Sequence, residues 1–551
     1  MFKARRWLDE EEFKELLKIA DYREYIRGEG AVFVFNVEKA VRNNYDYTDV
    51  VNIIRELGLE LESGSLDELR EMFSEYMVSI SWDYNTGYVI IDVPKKVSRK
   101  IYPILRKYNV RRYYGVYSPD KISYKIIPYR LHEFLDEIKK QGIQEVNDRD
   151  GLLKPKKLPM ELELRDIVLR DYQEEALNKW LENNGRGIVA LPTGSGKTII
   201  GVAAIAATGL RTLIITFTRE QMFQWKETIY KYTNIEPGYV GLIYSDEKRL
   251  APITITTYQS GYRNINKLSP LFDLLIVDEV HHLPADKFRY IAIHSIAAKR
   301  MGLSATVVRE DGKHVELFPL LGGIIYHKTA AELAQKGYLA RYRIITVKVK
   351  LQKDEREEYE DLRRLYRRLA GYRPFKEVLE AALKGDERAR QALKIHNKMR
   401  SITSRSVSKI EKAVEIARKE LSKGSKIIIF TQYVEQAKEI ARRLNAHLLT
   451  GEVPSEKRKM TLREFKESPS GVLVVTTVGD EGLDIPDANV GIIVSGTGSR
   501  RQFIQRLGRI LRPKKDGREA KLYEIILVNT PEEYLSRKRK KQDLGDFMEP
   551  T

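Results

Sequence analysis

The chain carries the segment Ala190-Leu191-Pro192-Thr193-Gly194-Ser195-Gly196-Lys197-Thr198 between an apolar run, Gly187 to Leu191, and a helical pattern, Thr198 to Ala207. A strand, a glycine-containing loop and a helix in this order are typical of a phosphate-binding loop. Leu191 stands where the common pattern has its first glycine, so the prediction depends on the strand and the helix on either side. A chance loop of similar composition is the alternative.

The residues of this loop predict contacts with a nucleoside triphosphate. Gly194 and Gly196 let backbone N–H groups turn inward around a phosphate, and Lys197 can reach the β- and γ-phosphates. The Thr198 hydroxyl is placed to bind Mg²⁺. The predicted ATP-binding residues of the loop are Thr193, Gly194, Ser195, Gly196, Lys197 and Thr198.

Similar apolar runs recur on both sides of a charged middle region. Their continuous apolarity favours strands buried on both faces of a parallel sheet. The predicted strands are Gly187–Leu191, Thr212–Thr216, Ile253–Thr256 and Leu274–Val277 in the first half, and Lys426–Phe430, Val472–Thr476, Val490–Val494 and Leu522–Leu527 in the second half. Helical patterns alternate with them, which predicts an α/β fold with two doubly wound parallel-sheet domains, over residues 147–350 and 406–551.

A pair of carboxylates follows the strand at Leu274 to Val277. Asp278 is placed to hold the Mg²⁺ shell together with Thr198, and Glu279 to orient and deprotonate an attacking water. Lys197, Asp278 and Glu279 are therefore predicted catalytic residues. An acidic pair after a strand is common by itself, and its position downstream of a phosphate loop gives it this meaning.

Three arginines lie at helical spacing in the second α/β half: Arg506, Arg509 and Arg512. Such spacing also occurs on a solvated helix face. Together with the phosphate loop and the acidic pair, Arg509 and Arg512 are predicted to be arginine fingers that reach the γ-phosphate from the other domain. Catalysis would then require the two domains to close.

Composition limits the classes of protein. Of 551 residues, 42% are hydrophobic, and Lys plus Arg number 96 against 78 Asp plus Glu, a net charge of +18 that favours a polyanionic partner. The absence of cysteine excludes disulfides and thiolate metal sites, and no structural zinc is expected. No leader sequence or long apolar run is found, so we expect no membrane contact and an intracellular protein, cytoplasmic if prokaryotic and nuclear if eukaryotic.

The charged middle region, residues 351–405, has helical spacing. Its apolar stripe consists of Leu362, Leu365, Tyr366 and Leu369. Arg363 and Arg364, followed by Arg367 and Arg368, lie off this stripe. We predict a small helical insertion with a basic, DNA-binding face; a solvated surface helix is the alternative.

The N-terminal part is predicted to be α+β. Residues 77–146 contain a hairpin signal around Asp83 to Gly87, a second pair of strands near Tyr113 to Tyr117 and Ile122 to Ile127, and a helix from Arg130 to Gln141. Residues 147–160 are typical of a linker. Residues 1–76 form a mixed α/β extension with helical patterns, one short strand and no predicted role.

From Leu169 to Leu527 the motifs resemble those of superfamily 2 helicases and translocases, which implies that both α/β domains are RecA-like. The resemblance implies adenine recognition by Arg170 and Gln173, and further ATP contacts from Gly482 and Asp484. It also implies loops that follow a DNA strand and couple it to hydrolysis. The residues expected there are Thr218, Arg219, Thr257, Ser304, Thr306, Gln432 and Thr477.

Within that superfamily the chain resembles the XPB family, in its compact archaeal form. The discriminating residues are Arg309-Glu310-Asp311, close after Ser304, a triplet that in the family takes part in unwinding. The resemblance implies that the helical insertion is a DNA-gripping thumb and that residues 77–146 correspond to a damage-recognition domain. It implies 3′→5′ movement on duplex or forked DNA in nucleotide excision repair or transcription, with a nuclease as a possible partner.

Three other functions remain open from the sequence. The chain could be the motor of a DNA-cutting complex similar to type I restriction systems, although residues 1–160 show no convincing nuclease cluster. It could act on RNA, because loops that hold phosphates do not distinguish the two sugars. It could also be a scaffold that binds nucleic acid without hydrolysing ATP.

Overall fold

Four β-sheets organise the part of the chain described in the computed structural model, which comprises all residues except 44, 62–65, 74–75, 96–97, 109, 114–120, 141–145, 306–312, 477–487, 496–518 and 543–551. Two of these sheets are parallel throughout and belong to the α/β units. The other two precede them and are antiparallel or mixed. No described helix combines the length and apolarity needed to cross a bilayer.

The first sheet lies within residues 1–76. Its elements are β1 (Phe2–Ala4), α1 (Glu10–Ile19), β2 (Ala20–Ile26), β3 (Gly30–Phe35), α2 (Val37–Arg42), α3 (Tyr47–Glu56), β4 (Glu60–Leu61) and α4 (Leu66–Phe73). The strand order is β2-β3-β1-β4, and every pairing is antiparallel. The expectation of one short strand was therefore wrong for this region. β1 and β4 are too short to show a period of two, and most of β2 is exposed, so its pattern carries no apolar alternation.

The second sheet carries the predicted hairpin. Its elements are β5 (Val78–Asp83), β6 (Tyr88–Pro94), α5 (Ser98–Lys107), β7 (Arg111–Arg112), β8 (Lys121–Ile126), α6 (Leu131–Lys140) and β9 (Val146–Asp148), with a 3-10 turn at Pro128–Arg130. The order is β7-β8-β6-β5-β9, and β9 pairs with β5 in parallel. The sheet thus continues two residues past the predicted boundary at 146. Residues 114–117, most of the first strand of the second predicted pair, lie outside the described residues.

The third sheet forms the first α/β unit. Its elements are α7 (Asp171–Glu182), β10 (Arg186–Ala190), α8 (Lys197–Thr208), β11 (Thr212–Thr216), α9 (Arg219–Tyr232), β12 (Val240–Ile243), β13 (Ile253–Thr257), α10 (Tyr258–Leu268), β14 (Leu274–Asp278), α11 (Asp286–Ile293), β15 (Lys299–Ser304), α12 (Leu317–Leu321), β16 (Ile324–His327) and α13 (Ala330–Gln335). Four 3-10 turns connect them, Pro237–Tyr239, Ser269–Leu271, Val280–His282 and Lys313–Glu316. All strands are parallel in the order β12-β13-β11-β14-β15-β10-β16.

This strand order places the site. β14, β15 and β10 are neighbours, and carboxyl ends of parallel strands meet at one edge of a sheet. The phosphate loop after β10, Asp278 at the end of β14 and Ser304 at the end of β15 therefore share one edge. The loops after β11 and β13 open at the same edge, since these strands are parallel members of the same sheet.

The fourth sheet and the helical insertion follow. Their elements are β17 (Tyr342–Val349), α14 (Lys353–Ala370), α15 (Phe375–Leu383), α16 (Glu387–Arg405), α17 (Val407–Leu421), β18 (Lys426–Phe430), α18 (Val434–Leu444), β19 (His447–Leu449), α19 (Ser455–Glu467), β20 (Gly471–Val475), β21 (Val490–Ile493), β22 (Ala520–Leu527) and α20 (Pro531–Gln542). The parallel order is β17-β22-β21-β18-β20-β19. Helices α14, α15 and α16 pack on a small core of their own.

The two parallel sheets confirm the predicted α/β fold class. One boundary differs from the prediction. β17 pairs with β22 over eight residues and belongs to the second α/β unit, although it precedes the predicted boundary at 350. The reason is that a strand's sheet is chosen by its pairing partner, which lies far along the chain and leaves no mark on the local pattern.

Candidate active site

The phosphate loop is shaped by two glycines in left-handed backbone conformations, Gly194 with φ 85° and Gly196 with φ 80°. Gly196 is also the N-cap of α8. A Cβ atom at Gly196 would lie 2.5 Å from Nε2 of Gln173, so a side chain would meet both strain and a clash. The Ser195 hydroxyl closes the turn by donating to the Pro192 carbonyl at 2.7 Å.

The loop presents polar groups that fit a triphosphate. The Thr193 hydroxyl oxygen is buried and has no hydrogen-bond partner among the described residues. The Lys197 ammonium donates to the carbonyls of Leu191 at 3.0 Å and Pro192 at 3.2 Å, which keeps it at the mouth of the loop. Thr198 is the second residue of α8, where backbone N–H groups and the helix dipole favour anions. These residues could hold ATP.

Gln173 is tied to the phosphate loop. Its Nε2 donates to the Ser195 carbonyl at 3.0 Å, while its Oε1 accepts from the backbone N–H of Arg170 at 3.0 Å. The Tyr172 hydroxyl donates to the same Ser195 carbonyl at 2.5 Å. The Arg170 guanidinium donates to the Tyr338 carbonyl at 3.2 Å and lies 5.6 Å from the centre of the Tyr338 ring. Arg170 and Gln173 thus adjoin the loop, and adenine recognition by them stays a prediction.

Asp278 ends β14 with both carboxylate oxygens engaged. Its Oδ2 accepts from the indole N–H of Trp225 at 2.9 Å, and its Oδ1 accepts from the backbone N–H of Glu279 at 2.9 Å. Burial, followed by the neighbouring Glu279 charge, raises the pKa of Asp278 to about 6. A divalent cation bound here would compensate both effects, so the buried carboxylate fits a Mg²⁺ ligand.

Glu279 has an unusual backbone for a long side chain, with φ 47° and ψ 52°. Its carboxylate is buried, and no hydrogen bond to Oε2 is formed by the described residues. Oε2 lies 3.3 Å from Nδ1 of His281, but that nitrogen is closer to the Ser304 hydroxyl, at 2.9 Å. Burial alone would raise the pKa of Glu279, but His281 and the charges of Lys197 and His282 together lower it to about 2. The group is thus ionised, as a base requires.

The Ser304 hydroxyl, at the end of β15, contacts His281, which lies three residues after the end of β14. This contact joins the predicted coupling motif to the segment that carries Asp278 and Glu279. Ser304 itself is buried. The structure therefore brings together Lys197, Asp278, Glu279 and Ser304, which the sequence had assigned to separate motifs. Thr306 and the Arg309-Glu310-Asp311 triplet lie outside the described residues, and so do Thr477, Gly482, Asp484, Arg509 and Arg512. Their roles stay predictions.

The predicted DNA-contacting threonines are helix N-caps. The Thr218 hydroxyl accepts from Gln221 N–H at 3.2 Å at the start of α9, and the Thr257 hydroxyl accepts from Ser260 N–H at 3.4 Å at the start of α10. Helix N-termini of this kind bind phosphates well. Arg219 pairs with Asp246 at 3.1 Å and donates to Ser245 Oγ at 2.6 Å.

In the second unit, the Gln432 backbone N–H donates to the Ser495 hydroxyl at 3.0 Å, just after β18. On the helical insertion, Arg363 pairs with Glu360 at 3.1 Å, and Arg364 pairs with Asp361, one helical turn away in each case. Both pairs lie on the surface of α14. A DNA contact by either arginine would have to exchange a carboxylate for a phosphate.

Sequence reasoning missed two residues that touch the acidic segment. Trp225 lies in a helical pattern, where an aromatic residue predicts only core packing, yet its indole N–H reaches Asp278. Its ring lies against Gly201, where a Cβ would come within 2.4 Å of it. Tyr258 follows Thr257 in a loop expected to contact DNA, and its hydroxyl donates to the carbonyls of Asp278 and Glu279. A buried polar aromatic residue needs a partner, which is the signal that was available.

Two family models match parts of the chain that contain most of the two α/β units. Residues 166–309 match "Type III restriction enzyme, res subunit", and residues 386–545 match "ERCC3/RAD25/XPB C-terminal helicase". The chain is 40% identical over 392 residues to the DNA 3′-5′ translocase XPB2 of Sulfurisphaera tokodaii, a similarity that covers 70% of this chain and 87% of the relative. The chain belongs to the XPB family.

Longer members of the XPB family align over a smaller share of their length. The general transcription and DNA repair factor IIH helicase/translocase subunit XPB of Encephalitozoon cuniculi is 32% identical over 395 residues, 68% of this chain and 54% of that protein. Among solved structures, the Hef helicase domain of Pyrococcus furiosus is similar with a TM-score of 0.48 and 21% identity, over 68% of this chain and 98% of that domain. The strand order and pairing of the two parallel sheets establish the fold independently of that similarity.

Proposed function

We propose that this member of the XPB family is an ATP-dependent DNA translocase that moves 3′→5′ on duplex or forked DNA and opens or tracks it in nucleotide excision repair or transcription. The observation that carries the proposal is the shared edge of the first parallel sheet. There, Lys197, Asp278 and Glu279 lie beside the loops of Thr218 and Thr257. One sheet edge thus combines groups suited to ATP hydrolysis with helix N-termini suited to a nucleic-acid backbone.

For hydrolysis, the residues divide the work. Lys197 neutralises the terminal phosphates, and Glu279, ionised and buried, accepts a proton from the attacking water. Thr198 and Asp278 would hold Mg²⁺, which when bound supplies charge neutralisation at the phosphates. Arg509 and Arg512 would complete the site from the second α/β unit. Their approach would make hydrolysis depend on closure between the two units.

For DNA, the contacts are expected along the edges of both α/β units. In the first unit, Thr218, Arg219 and Thr257 would hold one strand, and in the second unit Gln432 and Thr477 would take the next phosphates. Arg363 and Arg364 would approach from the thumb. These groups would contact phosphates rather than base edges, so we expect DNA binding without sequence preference.

The activities of two relatives bear on the cellular role. The Sulfurisphaera tokodaii relative is a DNA 3′-5′ translocase, and the Encephalitozoon cuniculi relative is a subunit of a transcription and DNA repair factor. They support the polarity and the two processes proposed here. A nuclease is the partner that we propose, because a motor that exposes damaged strands needs a separate activity to cut them.

The decisive experiment compares ATP hydrolysis with matched DNA and RNA duplexes, using Lys197→Ala as the inactive reference. We expect DNA to raise kcat several-fold more than RNA. Displacement of a third strand from duplexes with triplex sites at either end would report direction. Equal stimulation by RNA would contradict a DNA motor, and rates no higher than those of Lys197→Ala would favour a scaffold.

A motor of a DNA-cutting complex is the second candidate, and the match of residues 166–309 to a restriction-enzyme subunit is what favours it. Incubation of the pure chain with supercoiled plasmid, Mg²⁺ and ATP separates the two. Nicking by the wild type but not by Lys197→Ala would support the restriction-type motor. Intact plasmid, together with DNA-stimulated hydrolysis, would support the translocase.

A further inference from the structure

A buried tyrosine supports the backbone of the two catalytic carboxylates. Tyr258 is the first residue of α10 and is 1% exposed. Its hydroxyl lies 3.1 Å from the carbonyl oxygen of Asp278 and 3.2 Å from that of Glu279. Successive carbonyl groups of an extended strand point in opposite directions, so one donor can reach both only because the chain turns at Glu279.

That turn is the strained point of the site. Glu279 is left-handed, and the other described non-glycine residues with positive φ are all Asp or Asn, which tolerate this region far better. A strained backbone persists only where its surroundings hold it in place. The Tyr258 hydroxyl is one such hold, because it donates to the carbonyls on both sides of the Glu279 amide–Cα segment.

An aromatic stack leads away from the same point. The ring of Phe217 stacks on His282 with centroids 3.7 Å apart and planes 6° apart. Tyr258 lies edge-on to both rings, 6.2 Å from each centroid. His282 ends the 3-10 turn that begins just after Glu279, so the stack includes a residue of that turn.

Both aromatic residues adjoin the threonines proposed to hold DNA. Phe217 precedes Thr218, the N-cap of α9, and Tyr258 follows Thr257, the N-cap of α10. A shift of either N-cap toward a phosphate must move the next residue along the chain, since they share a peptide bond. Each loop therefore has an aromatic side chain, partly buried for Phe217 and buried for Tyr258, that touches the segment from Asp278 to His282.

From these contacts we propose that Phe217, Tyr258 and His282 form a relay by which DNA on the Thr218 and Thr257 loops sets the position of the Glu279 carboxylate. These are positioning residues, since they act through Glu279 and touch no substrate. The inference rests on the proposed function, because it requires that DNA stimulates hydrolysis. It explains why two helix N-caps and the water-activating base share one packed cluster.

Tyr258→Phe tests the relay with a minimal change, because it deletes the hydroxyl and keeps the ring. The matched control is Tyr262→Phe, on the same helix but exposed. We expect Tyr258→Phe to lower kcat at saturating duplex DNA about tenfold, the size of one lost hydrogen bond. The DNA-free rate should fall by a smaller factor, with KM for ATP and Kd for DNA unchanged. Tyr262→Phe should keep the wild-type ratio of the two rates.

Phe217→Leu gives an independent test of the stack and remains informative if Tyr258→Phe folds poorly. Leucine fills the space but cannot stack on His282. We expect a lower stimulation ratio and, in the double variant, an effect smaller than the product of the single ones, as for residues acting through one path. Thermal melting checks that each variant is folded.

The outcomes separate two failures. If the wild type shows no DNA stimulation, the proposed function itself is wrong. If the wild type is stimulated and both variants keep its ratio, or lose both rates by one factor, the relay is wrong and the cluster is only structural. A reduced ratio with unchanged DNA affinity supports it.

Discussion

Glu279 combines a left-handed backbone with a buried, ionised carboxylate. Left-handed backbone costs a non-glycine residue about 1–2 kcal/mol, and the carboxylate is also buried. The backbone strain does not stabilise the fold, whereas His281, Lys197 and His282 offset the cost of burying the charge, as the lowered pKa of Glu279 indicates. This matches the general pattern that strain and buried charge are concentrated in active sites.

Glu279→Gln isolates the chemical role of this residue. The amide keeps the size of the side chain but cannot accept the proton of the attacking water, so kcat should fall by about 10²–10⁴ while ATP binding is retained. Melting temperature at neutral pH should fall, because the lowered pKa of Glu279 means that the folded state favours the ionised carboxylate that the amide replaces. Turnover and nucleotide affinity measured on one preparation would check this. Glu220→Gln, exposed on α9, is the control, and an unchanged kcat for Glu279→Gln would remove Glu279 from its role.

Arg300 is a second residue whose environment is unusual. Its side chain is among the largest fully buried ones, at 1% exposure. Its guanidinium donates to four backbone carbonyls, those of Ala292, Ser295, Ala297 and Leu320. The partners come from the end of α11, the loop before β15 and α12. The Arg300 side chain thus connects three segments of the first α/β unit by hydrogen bonds.

Arg300→Lys should be strongly destabilising although it conserves the charge. Lysine has three donors on a single nitrogen and cannot reach four carbonyls around a fork, so we expect a loss of about 3 kcal/mol. Chemical denaturation would measure it. Arg263→Lys, exposed on α10, should change the free energy of unfolding by less than about 0.5 kcal/mol. Equal effects would mean that the carbonyl contacts contribute little.

Among the elements, α14 carries the basic face predicted for the thumb. Its arginines differ in their surroundings, because Arg363 and Arg364 pair with acidic residues one turn earlier. Arg367 and Arg368 lie outside these two pairs and are exposed near the end of the helix. Exposed pairs of this kind are weak, but they must be exchanged before a phosphate is bound.

The salt dependence of DNA binding should separate the two arginine pairs. Each arginine that neutralises a phosphate adds about 0.9 to the slope of log K against log salt. Replacing Arg367 and Arg368 by alanine should therefore reduce the slope by about two units, and replacing Arg363 and Arg364 should reduce it by less. Binding titrations at several salt concentrations would show this. Unchanged slopes in both double variants would mean that this face points to solvent.

The helical insertion is hydrogen-bonded to the second α/β unit. Buried Gln436 of α18 donates to the Ser404 carbonyl in α16 at 3.0 Å, and its Oε1 accepts from the hydroxyls of Thr431 and Ser495. Glu355 of α14 accepts from Ser406 Oγ at 2.8 Å. The helical insertion therefore contacts the second α/β unit next to the loop that carries Gln432.

At the scale of the whole molecule, the hairpin of the second sheet docks on the first α/β unit. The Trp82 indole N–H donates to the Asn266 carbonyl at 2.7 Å, and the Asn266 amide donates to the Asn85 carbonyl at 3.3 Å. Tyr290 donates to the Asn266 side chain at 3.2 Å. The domain of residues 77–146 therefore contacts α10, the helix whose N-cap is Thr257.

Gly87→Ala should weaken this docking. Gly87 has φ 69°, and a Cβ there would lie 2.1 Å from Oδ1 of Asn266, which would have to leave its partners. Gly58→Ala is a matched control, with φ 60° and open space around it, so both variants share the backbone strain. We expect faster amide exchange in α10 and in the β5–β6 turn only for Gly87→Ala. The same exchange pattern in both variants would contradict the docking.

The sequence predicted those parts of the site that depend on local spacing. The strands Thr212–Thr216 and Lys426–Phe430 have the predicted bounds. Both are continuous apolar runs between helical patterns, which predict buried strands. The other predicted strands of the parallel sheets differ by one or two residues at an end. Strands β12, β15, β16, β17 and β19 of these sheets were not predicted. For residues 1–76 the sequence predicted one short strand where the structure has four, because β1 and β4 are very short and β2 is mostly exposed.

By itself, the sequence determined the phosphate loop, the acidic pair after β14, the two parallel sheets and the family. Each of these was recognised from short stretches of consecutive residues, because a turn, a buried strand or a helix cap depends on local backbone conformation. Only the tertiary structure decided that Trp225 reaches Asp278, that Tyr258 holds the Glu279 turn, that β17 joins the second sheet and that the hairpin docks on α10. Such contacts join residues far apart in the chain, and the packing of helices on sheets, not any period in the sequence, brings them within hydrogen-bond distance.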